Sequence, residues 1–140
     1  MLDMNSTFMF GEDRFSAEED FSTYYRSIGG HKLADDINQI IRSLYQYLER
    51  RYSDANYRDN FPSVVDALNH MLSESIPKDE VDKIVSTFSY HELGYIPVEY
   101  ISALHELRDQ FILAAVIDIW SPKTLWLETF RDAGILDFFS

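Results

Sequence analysis

Cysteine is absent from the 140 residues. That excludes a disulfide framework, a thiolate metal site and a thiol nucleophile, and it fits a reducing cytoplasm. Basic residues are scarce: 12 Lys and Arg stand against 24 Asp and Glu, for a formal net charge of -12. Nucleic acid and anionic membranes are therefore not expected as partners, and the acidic excess reads as a solvated surface. No apolar run approaches the roughly 18 residues needed to cross a bilayer, and the start lacks the basic region and long apolar stretch of a secretory signal. Together these absences predict a soluble, cytoplasmic protein. There is no Gly-rich phosphate loop, no G-x-S-x-G elbow and no dinucleotide fingerprint. The four histidines (His31, His70, His91, His105) contain no HExxH, and His91-Glu92 lacks the second histidine that a helical zinc site requires.

What is present suits a packed globular chain. At 46% hydrophobic and 15% aromatic residues, the composition supplies a core and argues against disorder, and the length suits one domain. The middle of the chain reads as helices between short breaks. Ser16-Ala17-Glu18-Glu19 has the form of a capping box and predicts a helix from Ala17 to Ile28, stopped by Gly29-Gly30. A second helix is expected from Leu33 to Tyr52, with Ile37, Ile40, Ile41, Leu44, Tyr45 and Leu48 at helical spacing. Pro62, Pro77 and Pro97 each open a further helix. The expected helical interior comprises Ile40, Ile41, Leu44, Val64, Leu68, Val85, Phe88 and Leu104. Tyr24, Tyr25, Tyr45, Tyr47, Tyr52 and Tyr57 have two readings, as the lining of an entrance or as packing between helices. The apolar run Phe111 to Ile117 reads as a buried strand. A last helix is expected from Pro122 to Ala133, with Gly134 as its C-terminal cap. Strand then helix is half of a βαβ unit, the opening of a parallel sheet.

Two segments at the ends of the chain carry the chemistry. Leu2-Asp3-Met4-Asn5-Ser6-Thr7-Phe8 places an aspartate after an apolar start, an amide two residues on and a hydroxyl four residues on. Ile112 to Ile117 followed by Asp118-Ile119-Trp120-Ser121-Pro122 is a strand closed by an acidic residue. In this order, with helices from Ala17 to about Gln110 between them and Glu92-Leu93-Gly94-Tyr95-Ile96-Pro97 leading back, the chain resembles the haloacid dehalogenase-like (HAD) hydrolases of the helical-cap type. It resembles their N-terminal part, with the first and second motifs only. The resemblance implies a fold that is mainly α with a small α/β remnant, a helical cap plus the first strands of a parallel Rossmann-like sheet. Residues 1–10 and 110–140 would form the partial core, and 11–109 the cap.

The resemblance also implies phosphomonoester hydrolysis through an aspartyl-phosphate intermediate. Asp3 would be the nucleophile, splitting one displacement into two easier ones. Asn5 stands at the acid/base position. Thr7 and Asp118 would contact the phosphate. A magnesium ion would be shared by Asp3 and the Asn5 backbone carbonyl, weakly, because one protein carboxylate holds this hard cation poorly. For Thr7 a structural hydroxyl, and for Asp118 a turn carboxylate, are the competing readings. Three departures point to a degenerate site. Asn5 cannot shuttle a proton, Ile117 stands where the second motif carries a hydroxyl, and the family's lysine and later acidic pair would lie past Ser140. The chain is thus expected to be weak or inactive alone, with a small phosphorylated substrate as partner if active. A non-catalytic helical interaction module is the alternative. Self-association through an unfinished sheet edge is a further expectation.

Overall fold

The computed structural model describes residues 1–72 and 75–139, most of them helical. Ser140, the end of the expected 110–140 segment, lies outside the described residues. The elements run β1 (Leu2–Asp3), α1 (Ser22–Ser27), α2 (Ala34–Tyr52), α3 (Val64–Met71), α4 (Lys78–Glu92), α5 (Val98–Arg108), β2 (Ala115–Val116) and α6 (Thr124–Asp132). Short 3-10 turns lie at Ala55–Tyr57 and Leu136–Phe138. The architecture is mainly α with one small parallel sheet. No helix among the described residues is long and apolar enough to cross a membrane.

The chain forms two compact units, residues 15–91 and residues 1–14 with 92–140. In the helical unit, α2 presents Ile37, Ile41, Leu44 and Leu48 as a fully buried stripe, the spacing that one face of a 3.6-residue helix requires. Val64, Ala67 and Leu68 of α3 and Ile84, Val85 and Phe88 of α4 complete its interior. Ile40, expected inside, is only half-buried and lines an open groove with Lys32, Asp36 and Ser43. It lies beside the buried stripe, one residue off its repeat.

The first helix is shorter than the spacing of Ser16 and Glu19 predicts, and the Glu19 side chain of that capping box is engaged elsewhere. The Glu19 carboxylate lies 3.2 Å from His91 Nδ1, and the Glu19 N–H donates to the Ser16 backbone carbonyl at 3.2 Å. Asp20 organises the start instead. Its carboxylate accepts the Ser22 N–H at 3.0 Å and the Ser22 and Thr23 hydroxyls at 2.7 Å each. It also accepts the Asn38 side-chain amide at 3.1 Å. These donors, Ser22 foremost, hold the Asp20 carboxyl well below the usual carboxylate range. At α3 the box is built from Ser63 and Asp66, just after Pro62.

In the other unit, Leu104 of α5 joins Met4, Phe8, Leu113, Trp126 and Phe130 in one apolar cluster. This places α5 with the terminal segments, whereas the expected cap of 11–109 includes it. Leu104 was likewise expected in the helical interior. Its neighbours on the helix face, Ile101 and Leu107, pack against the same terminal cluster. The sheet is two residues deep: β1 and β2 run parallel with Leu2 opposite Ala115 and Asp3 opposite Val116. The strand expected over the whole run to Ile117 is regular only at Ala115–Val116, because a ladder extends only as far as its neighbour does. Leu113 also forms a parallel bridge with Phe139. Helix α6 ends in a Schellman motif: Gly134, at φ +69, donates to the Arg131 carbonyl at 3.0 Å, and Ile135 donates to Phe130 at 2.9 Å.

Candidate active site

The loop after β1 is built by alternation of apolar anchors and polar projections. Met4, Phe8 and Met9 are buried, while Ser6 and Thr7 between them are exposed. The Met4 carbonyl accepts the N–H groups of Thr7, Phe8 and Met9 at 3.3, 3.2 and 3.1 Å, which turns the chain sharply out of the strand. Ser6 sits in the left-handed region at φ 57, and its N–H donates to the Met9 carbonyl at 2.9 Å. Only a minority of non-glycine residues adopt that conformation, so the turn is a specified feature. Asp3, the last residue of β1, and Thr7 of this loop are exposed, and Asn5 is half-buried. The Asn5 side-chain oxygen is buried with no hydrogen-bond donor among the described residues.

The parallel register carries the second segment to the same edge. Leu2 donates to the Ala114 carbonyl at 2.7 Å and Met4 to Val116 at 3.1 Å, so both strands point their carboxyl ends the same way. Beyond β2 the chain passes half-buried Ile117 to exposed Asp118. In open parallel sheets, ligands bind in the crevice outside the carboxyl ends of the strands. Asp3 thus ends β1, Asn5 and Thr7 belong to the loop that follows it, and Asp118 belongs to the loop of the neighbouring strand. Lys123 lies exposed at the start of α6.

Two carboxylates that the sequence motifs do not single out define the electrostatics. Glu92, the last residue of α4, is buried, and its two side-chain oxygens accept the backbone N–H groups of Trp120 and Ser121 at 2.6 and 3.0 Å. Burial pushes its carboxyl above the ordinary glutamate value, opposed by the bonds from Ser121 and Trp120. Asp13, at φ 57, donates its N–H to the Glu92 carbonyl at 3.2 Å. Burial raises the Asp13 carboxyl first, and the charges of Glu12 and Asp118 raise it further. The sequence held one signal for Glu92. An acid in the last turn of a helix opposes the macrodipole and needs a partner elsewhere.

The remaining candidates have structural surroundings. Thr7 is exposed, which removes the reading as a buried hydroxyl. Tyr25 is fully buried, Tyr24 stacks on Tyr90 at 3.9 Å between ring centroids, and Tyr45 stacks on Phe15 at 4.5 Å. Tyr47 and Tyr57 flank the Arg51 guanidinium at 3.3 and 5.3 Å. His105 packs edge-on against Phe138. Among the described residues no three His, Cys, Asp or Glu side chains are grouped to hold a metal ion. No family model, characterised protein or solved structure matches this chain.

Proposed function

We propose that this chain carries the nucleophile loop and the second phosphate-contacting loop of a HAD-like phosphomonoester hydrolase. The observation that supports this most is the register of β1 on β2, which sets exposed Asp3 and the loop bearing Asp118 at one edge. On this reading the Asp3 carboxylate attacks phosphorus, the bond from phosphorus to the substrate oxygen breaks, and water then hydrolyses the aspartyl phosphate. Thr7 and Asp118 orient the phosphoryl group.

Magnesium fits these residues only in part. Asp3 offers an exposed carboxylate, and the Asn5 carbonyl accepts no backbone hydrogen bond among the described residues. Two hard oxygens suit an ion that keeps several waters and shares a substrate phosphate, rather than an all-protein cage. When bound, the ion would neutralise charge on the phosphoryl oxygens. With Asn5 in place of an acid, proton transfer falls to water and turnover is slow.

A second reading, a non-catalytic helical interaction module, is favoured by Asn5 and by the self-contained core of residues 15–91. Magnesium-dependent phosphate release from an aryl phosphate separates the two. Hydrolysis reads a low rate that Asp3→Asn abolishes at equal protein concentration. The same rate from both proteins would leave the module.

A further inference from the structure

We propose that Glu92 is a positioning residue whose carboxylate fixes the loop from Ile117 to Ser121, and with it Asp118. The four residues Glu92 to Tyr95 grip both loops of the candidate site. On one side, the Glu92 carboxylate takes the consecutive N–H groups of Trp120 and Ser121 at 2.6 and 3.0 Å. A carboxylate receiving two backbone donors in a buried setting is a strong, directional clamp. On the other side, the Glu92 carbonyl accepts the Asp13 N–H at 3.2 Å, and Phe10 and Tyr95 exchange both backbone bonds at 2.9 and 2.8 Å. Gly94 passes so close to the first loop that a β-carbon there would lie 2.4 Å from the Phe10 carbonyl oxygen. The side chain thus holds the second loop while the backbone of the same segment holds the first.

The groups facing this clamp are the Ser121 hydroxyl and N–H from the second loop and Asp13 from the first, with Glu12 and Asp118 acting on Asp13. Arg14 donates to the neighbouring Leu93 carbonyl at 3.4 Å. Protonation of Glu92 removes its negative charge and weakens the acceptor of both loop bonds. Its value to catalysis rests on reading Asp3 and Asp118 as one site, whereas the clamp itself does not.

The test is a pH titration of backbone amide resonances on the intact chain, with Glu92→Gln, and with Asp13→Asn to separate the two carboxyls. The Trp120 and Ser121 amides are expected to move together through one midpoint above the ordinary glutamate value, with the Asp118 amide following. Asp13→Asn should retain that transition. Glu92→Gln should abolish it and displace all three resonances at neutral pH. Amides that ignore the titration while the wild-type chain stays folded would overturn the proposal even if Glu92→Gln fails to fold. So would a folded Glu92→Gln protein with an unmoved Asp118 resonance. Absence of Asp3-dependent hydrolysis would count against the phosphatase reading alone, since the amide titration is read without any substrate.

Discussion

At the scale of single residues, the proposed hydrolysis makes Asn5 the residue that would set the rate. An amide two positions after the proposed nucleophile can neither protonate a leaving group nor activate water, and a positioned acid/base contributes roughly 100- to 10,000-fold. Replacing Asn5 by Asp is therefore expected to raise aryl-phosphate turnover by about 100-fold or more, measured as magnesium-dependent initial rates. Glu92 and Asp13 make the second residue-scale case. Their carboxyls are raised by burial, so the folded chain binds more protons than the unfolded one above the ordinary carboxyl values of 4.5 and 3.8. Stability from this source is present below those values and is lost as pH rises through the folded ones. The melting temperature should accordingly rise as the wild type is taken from neutral pH toward 4.5, and this component should shrink in Glu92→Gln. The order Asp3, Asn5, Thr7 and its place after an apolar start were legible in the sequence. The place of Glu92 at a helix end was a signal, but its role was not legible, because its partners are the backbone N–H groups of Trp120 and Ser121, which carry no sequence identity.

At the scale of elements, local signals located the helices well where one cap had no competitor. Pro77 and Pro97 immediately precede α4 and α5, and Ser63 with Asp66 caps α3 after Pro62. Where a long-range partner competed, the local signal failed. Glu19 lies against His91, and Asp20 starts α1 later than Ser16 predicts. The strands were legible as apolar runs but not in their extent, since the two-residue ladder depends on how soon Met4 turns the chain away. Helix α6 offers a clean quantitative test. Gly134 has φ +69 and no heavy atom within 4 Å of where a β-carbon would sit, so Gly134→Ala adds backbone strain without a clash. A loss of about 1 kcal/mol is expected from chemical denaturation, with the helix otherwise intact.

At the scale of the whole molecule, the chain comprises a helical unit with its own interior and a second unit built from both terminal segments. The alternation of helical and strand periodicity made that broad class readable. The division at residue 91 was not, because α5 carries a helical pattern like its neighbours and only its packing through Ile101, Leu104 and Leu107 assigns it. Asn5 offers a way to see the proposed attack of Asp3 on phosphorus. An aryl phosphate has a good leaving group and needs little acid assistance, whereas hydrolysis of the acyl phosphate needs a base that Asn5 cannot supply. The intermediate should therefore accumulate. The most direct measurement is mass spectrometry of the chain quenched after incubation with an aryl phosphate and magnesium. One phosphoryl group on the peptide containing Asp3, removed by hydroxylamine and absent from Asp3→Asn, is the predicted result. Phosphate release without any adduct on that peptide, at the same rate in Asp3→Asn, would contradict the account.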